Sequence, residues 1–216
     1  MALQAVLFDL DGTLIDSHDD IFAAFDAVAR EFDLAAPGPD ALRPLVGLPL
    51  AVMFRGLYGD QLSDGRVAEL SESYRRHYGA KPAERTRIFP GVLAALDALS
   101  PLQLGVATTK RSWQAMRVIT AVGLAERFAV VQGTDDFPAK PAPDVLQHAL
   151  LALGVSPEDA AYVGDGPWDM RAARSAGVYA IGIDHAGDRE AELAEAGAHA
   201  VLQAMAELPT LVRELS

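Results

Sequence analysis

Hydrophobic positions fall along the chain in short, nearly unbroken runs separated by longer amphipathic stretches. Ala5-Val6-Leu7-Phe8 is the first run; similar ones recur at 102–107, 128–131, 160–163 and 179–183, with a shorter one near 199–202. Runs of this length fit strands covered on both faces, as in a parallel sheet. Between them the apolar spacing becomes helical. Ser112 is placed to cap a helix with Trp113, Met116 and Ile119 on one face. Val145, Leu146, Ala149, Leu150 and Leu153 form a second stripe, with Pro143 near its start and Gly154 just past its end. Pro167 opens a third helix and Gly177 closes it. Strand alternating with helix predicts an α/β fold, a doubly wound Rossmann-like parallel sheet.

One connection breaks this rhythm. About 90 residues separate the run ending near Leu10 from the one starting near Leu102, whereas a crossover needs only about a dozen. Val92, Leu93, Leu96 and Leu99 already supply the crossover helix. The remaining residues, 15–87, read as helices only. Ser17-His18-Asp19-Asp20 has the form of a capping box, after which Ile21, Phe25, Val28 and Phe32 share a face. Further helices are expected near 40–46, 50–58 and 64–79. The prediction is a core of residues 1–14 and 88–216, with residues 15–87 inserted as a helical domain.

Composition narrows the function. The 216 residues carry a net charge of −12, which argues against a nucleic-acid partner, since a phosphate backbone demands a basic footprint. No apolar run approaches the roughly 20 residues of a membrane span. Met1-Ala2-Leu3-Gln4 carries no basic stretch, so no secretory signal is expected. Cysteine is absent, which excludes disulfides and thiolate chemistry. The expectation is a soluble cytoplasmic protein of unspecified oligomeric state. Residues 15–87 hold nine basic and twelve acidic side chains against nine and eighteen in the rest. That segment is thus relatively rich in arginine, either as a solvated helical surface or facing an anionic substrate.

The chemistry concentrates where strands end. Asp9-Leu10-Asp11-Gly12-Thr13 closes the first strand. Two carboxylates at i and i+2 point the same way, about 6–7 Å apart, at the sheet edge where α/β proteins bind ligands; the plain alternative is an Asp-rich turn. Gly164-Asp165-Gly166-Pro167-Trp168-Asp169 follows the fourth strand. There Asp165 and Asp169 also suit an N-cap and a helix-dipole partner. With Asp9, however, they form a hard-oxygen set suited to Mg²⁺. Thr108-Thr109-Lys110 ends the second strand, where a hydroxyl and free N–H groups can hold phosphate oxygens. Lys140-Pro141-Ala142-Pro143 presents a lysine on a stiff segment.

In this order, these four elements resemble the haloacid dehalogenase superfamily of phosphohydrolases over nearly the whole chain. The insertion after the first motif resembles that family's helical C1 cap. Residues 14–17, 46–49, 89–92, 140–144 and 172–178 are most similar to its phosphoglycolate phosphatase-like branch. Thr109 stands where Asn is frequent, and Gly166 where Ser or Thr is frequent. The resemblance implies a strand order of 3-2-1-4-5, which gathers Asp9, Thr108 and Asp165 at one crevice. It also implies a Mg²⁺-dependent phosphatase acting on a small phosphomonoester. Asp9 would be the nucleophile and Asp11 the acid and base, Asp11 holding a proton under neighbouring carboxylates and the cap. Thr108, Thr109 and Lys140 would bind the phosphate. Asp9, Asp11 through its carbonyl, Asp165 and Asp169 would serve the metal.

Alternatives remain on the same core. A dehalogenase has no use for an acid at Asp11. A phosphomutase differs only in its cap, and a pyrophosphatase keeps the same chemistry. A phosphonatase needs a cap lysine, for which Lys81 alone is available. A non-catalytic binding module would be signalled by loss of an aspartate or Lys140, and all are present. For substrate selection, Arg43, His18 and the 46–49 loop are candidates by position. The other histidines, His77, His148, His185 and His199, show no ligand spacing, and Trp113 and Trp168 read as packing residues.

Overall fold

The computed structural model describes residues 3–215. The strands are β1 (Ala5–Phe8), β2 (Ile15–Asp16), β3 (Arg87–Ile88), β4 (Gln103–Thr108), β5 (Val130–Gly133), β6 (Ala160–Gly164), β7 (Tyr179–Ile183) and β8 (Ala200–Leu202). The α-helices are α1 (His18–Glu31), α2 (Pro39–Leu42), α3 (Leu50–Tyr58), α4 (Asp64–Ala80), α5 (Val92–Ala98), α6 (Ser112–Ala121), α7 (Asp144–Leu153), α8 (Pro167–Ala176), α9 (Glu190–Glu195) and α10 (Leu208–Leu215). Six strands form one parallel sheet in the order β5-β4-β1-β6-β7-β8. The expected 3-2-1-4-5 arrangement is present, and the short run near 199–202 extends it by a sixth strand, β8.

Successive residues of β1 point to opposite faces. Val6 and Phe8 join Leu104, Val106, Val163 and Ile181 in a core covered by α5, α6 and α10. Ala5 and Leu7 join Tyr162 and Ala180 under α7 and α8. All of these except Leu104 are 0% exposed, and each buried Val, Leu or Phe contributes about 1.5–3 kcal/mol. This two-sided burial is why the strands read as continuous apolar runs.

The chain leaves the core through β2 and returns through β3. These pair antiparallel, Ile15 opposite Ile88 and Asp16 opposite Arg87. Between them lie α1 to α4. Phe25 of α1 packs on Phe54 of α3 and Tyr74 of α4, with ring centroids 5.0 and 4.9 Å apart. This buried set is continuous with the Val6 face of the sheet. The expected helix at 40–46 is divided into α2 and a 3-10 turn at Arg43–Leu45, because Pro44 cannot donate to an α-helical ladder.

Two local expectations are corrected. Ser17 does precede α1, but its side chain makes no capping bond. Its hydroxyl instead donates to Asp11, while Asp20 accepts the N–H groups of Arg85 and Thr86 and the Thr86 hydroxyl. The pair that looked like a capping box ties α1 to the first motif and to the returning linker. On α6 the buried positions are Gln114, Ala115, Val118 and Ile119. Trp113 and Met116 are 46% and 44% exposed, and Arg111, not Ser112, is the cap residue.

Candidate active site

Parallel register builds the site. Phe8 lies opposite Val106 on β4 and Val163 on β6, and the next residue, Asp9, donates its N–H to Val163 O at 2.8 Å. The ends of three strands thus set Asp9 between Thr108 and the Gly164-Asp165 turn. Two glycines permit the approach. At Gly12 (φ +81°) a Cβ would fall 2.4 Å from Asp165 Oδ2, and at Gly164 a Cβ would fall 2.4 Å from Asp169 Cβ.

Carboxylate oxygens of Asp9, Asp165 and Asp169 lie within 4.8 Å of one another. Lys140 Nζ reaches into this group, 2.8 Å from Asp9 Oδ1, 2.5 Å from Asp169 Oδ1 and 2.9 Å from the Tyr162 hydroxyl. The Tyr162 hydroxyl also lies 2.9 Å from Ala107 O and 3.0 Å from Asp169 Oδ1. Asp169 Oδ2 accepts the N–H of Gly166 at 2.9 Å. The residue capping α8 is therefore Gly166 and not Asp165. Burial pushes the Asp9 carboxyl up to about 6 against the pull of Lys140. It pushes Asp165 up to about 8, helped by the charges of Asp169 and Asp9. Burial disfavours the Lys140 ammonium, but Asp169 and Asp9 outweigh it and hold its pKa above the usual value. Thr13 Oγ1 donates to Asp165 at 3.0 Å, and Arg189 Nη1 stands 3.7 Å from it.

These groups fit a divalent metal. The donors are all carboxylate oxygens, the chemistry of Mg²⁺ sites. Asp9 Oδ1 is buried with only the Lys140 ammonium, 2.8 Å away, to meet it.

Asp11 lies near enough to the Asp9 carboxylate for their charges to interact, and it has two further neighbours: Lys110 Nζ donates to its Oδ2 at 2.6 Å and the Ser17 hydroxyl to its Oδ1. Lys110 also sits 4.6 Å above the Tyr78 ring. Thr108 is 1% exposed, and Thr109 Oγ1 is buried without a partner.

Two cavities meet at Asp9. One, of about 240 Å³, lies between Thr108, Thr109 and Lys110 and the helices α3 and α4. The other, of about 550 Å³, runs past Asp165 and Asp169 toward Arg189. His18 and Arg43 line only the second cavity, while the 46–49 loop contributes to both. His185 is no scattered histidine: its Nε2 lies 3.1 Å from Thr13 O, and its ring stacks on Phe89 at 3.9 Å. Tyr162, Lys110, Thr13, Arg189 and His185 were not assigned from sequence. The available signal was the rule that ligands gather beyond strand carboxyl ends, applied to Asp184-His185 after β7 as well as to the earlier strands.

Residues 6–183 match the model of the haloacid dehalogenase-like hydrolase family. The phosphoglycolate phosphatase of Chromobacterium violaceum is 32% identical, over 98% of this chain and 97% of its own. The pyrophosphatase PpaX of Halalkalibacterium halodurans is also 32% identical, over 98% of both. The crystal structure of a predicted phosphatase from Clostridium acetobutylicum superposes with a TM-score of 0.90 at 27% identity, covering 99% of this chain and all (100%) of that one. A strand-end carboxylate paired with a buried lysine, on a sheet of this order and with a match of this length, makes the chain a member of the haloacid dehalogenase-like hydrolases.

Proposed function

We propose that this protein is a Mg²⁺-dependent phosphatase that hydrolyses a small, phosphoglycolate-like phosphomonoester through a phosphorylated Asp9. The observation that carries the reading is Asp9 itself: buried at a strand end, charge-paired with Lys140, and flanked by two further carboxylates within 4.8 Å. The names of the relatives support the same class of reaction.

In the first step a carboxylate oxygen of Asp9 bonds to phosphorus while the ester P–O bond breaks, and Asp11 gives a proton to the leaving oxygen. In the second, Asp11 takes a proton from the water that attacks phosphorus, releasing inorganic phosphate and restoring Asp9. Ser17 and Lys110 occupy both Asp11 oxygens, so proton delivery requires the leaving oxygen to replace one of these contacts. The Thr108 hydroxyl, the Thr109 N–H and Lys140 bind the remaining phosphate oxygens, and Tyr162 and Asp169 fix Lys140 in place. Asp9, Asp165 and the Asp11 carbonyl would hold Mg²⁺, with Asp169 beside them. When bound, that ion neutralises the charge shared by phosphate and carboxylates. Residues 15–87 act as a cap over a core of residues 1–14 and 88–216, excluding bulk water.

The test is phosphate release from sugar phosphates, phosphoglycolate, nucleotides and pyrophosphate, with and without Mg²⁺. The expected result is metal-dependent release that Asp9→Asn abolishes. Activity retained in that variant would sink the nucleophile assignment. The PpaX relative favours a second reading as a pyrophosphatase, for which pyrophosphate would be the best substrate of the panel.

A further inference from the structure

The smaller cavity is built unevenly. Its α1 and α3 sides are apolar, with Ile21, Leu50 and Met53, whereas α4 presents Ser71, Tyr74, Arg75 and Tyr78. These stand at i, i+3, i+4 and i+7, one face of a helix. Facing them from the core is Gln114 of α6. Ser71, Tyr74, Tyr78 and Gln114 are 5%, 6%, 2% and 5% exposed. None of their side-chain polar atoms has a hydrogen-bond partner among the described residues, and the Tyr78 hydroxyl is fully buried in that state. Buried polar groups are ordinarily paired; the Tyr78 hydroxyl and, on the same cavity, Thr109 Oγ1 are buried without a partner, which points to a ligand that pairs them.

The charges indicate which ligand. Lys110 is committed to Asp11. Arg111 makes no ion pair among the described residues, but Asp135 on the same cavity wall balances its formal charge, and the Asp135 carboxylate accepts the N–H and hydroxyl of the adjoining Ser112. Arg75 remains. Its only ion pair among the described residues is a long one, 3.4 Å, to the largely exposed Glu72, which leaves most of its five N–H donors available. One guanidinium among neutral hydroxyl and amide donors matches one negative charge rich in acceptors. A volume of about 240 Å³ lies below the roughly 300–1,000 Å³ of sites for drug-sized ligands, which suits a short leaving group.

We infer that Arg75 and Gln114 are the specificity-determining residues of this site, and that they bind a carboxylate on a short leaving group. The fork of Arg75 takes both carboxylate oxygens, Gln114 donates from the opposite wall, and Ser71 and the tyrosine hydroxyls complete the shell. This assignment rests on the phosphatase reading and replaces Arg43 and His18, which line the other cavity, as the residues that read the substrate.

The test compares three esters of matched size: phosphoglycolate (anionic), ethyl phosphate (neutral) and phosphoethanolamine (cationic), with pyrophosphate alongside. The wild type is expected to prefer the anionic ester in kcat/KM. Arg75→Gln should cut the ratio of anionic to neutral ester by about 10- to 100-fold, the range for a hydrogen bond to a charged group. Gln114→Leu should cut it less. Arg75→Glu should move the preference toward phosphoethanolamine. Because each readout is a ratio on one preparation, loss of folded enzyme cancels. Equal wild-type activity on anionic and neutral esters, an Arg75→Gln ratio that does not change, or pyrophosphate as the preferred substrate would each overturn the assignment while leaving Asp9 chemistry intact. Release from none of the four overturns the phosphatase reading and this one with it.

Discussion

Lys140 shows how a single buried charge organises a site. Its ammonium is 1% exposed, which is tolerable only because two carboxylates and a hydroxyl surround it. The hydroxyl belongs to Tyr162, whose ring is packed in the core of the Leu7 face. Tyr162→Phe keeps that ring and removes one partner each from Lys140, Asp169 and Ala107 O. The expected cost is about 1–3 kcal/mol of stability, the usual penalty for leaving a buried partner unsatisfied, read by urea denaturation. Lys140 loses a restraint without losing its charge, so kcat should fall more than KM rises. An unchanged kcat would show that Asp169 alone positions the lysine. Asp9, Asp165 and Lys140 could be picked out from sequence because spacing and strand ends single them out. Tyr162 could not, since it lies inside an apolar run and its role depends on which way the strand faces. Lys110 was visible in its motif, but its pairing with Asp11 is set by the parallel register of β1 and β4.

At the scale of elements, the loop leaving β7 brings His185 and Arg189 toward Asp165. Asp184 shapes it: its carboxylate accepts the N–H of Gly187 at 2.8 Å and of Arg189 at 2.7 Å. Burial works against this charge, but the backbone N–H groups outweigh it and hold the carboxyl below its usual 3.8. A carboxyl depressed in the folded state stabilises above its unfolded pKa, and that stability is lost as pH falls through the lower folded value. Asp184→Asn is therefore expected to lower stability at neutral pH, with the difference from wild type shrinking in titrations taken below about pH 3.8. A difference that persists unchanged at pH 2 would mean that lost loop geometry, not the charge, is responsible. The elements themselves were mostly legible, because apolar runs and helical stripes follow directly from two-sided burial. The failures lie where a side chain had two possible partners. Ser17 and Asp20 fit a capping box by spacing, yet tertiary partners at Asp11 and Thr86 win them. Trp113 and Met116 look like a core stripe, but Ala115 and Val118 are the positions that let α6 lie close to the sheet.

For the molecule as a whole, the cluster at Asp9 is a local concentration of negative charge in a chain already at −12. Three carboxylates are met by Lys140 and, more distantly, by Arg189 at 3.7 Å. Without a divalent ion the folded state relieves that repulsion by taking up protons, the Asp9 and Asp165 carboxyls being pushed up to about 6 and about 8, whereas the unfolded chain keeps them ionised in water. Anything that binds the folded cluster alone raises stability by mass action, about 2.7 kcal/mol at a hundredfold excess over Kd. For a chain of this size that corresponds to a Tm rise of about 5–11 °C. Mg²⁺ is expected to produce such a rise by calorimetry, and NaCl at equal ionic strength is not, because screening acts weakly on buried charges. Asp165→Asn separates the two contributions. It removes one metal donor and replaces a carboxyl that is already costly to ionise beside Asp169 and Asp9, so the metal-free variant should melt no lower than the metal-free wild type while its response to Mg²⁺ is much reduced. An undiminished Mg²⁺ response in Asp165→Asn would move the ion away from this cluster. A variant that melts well below the wild type without metal would make Asp165 a structural partner of Thr13 and Arg189 first, and a metal donor second.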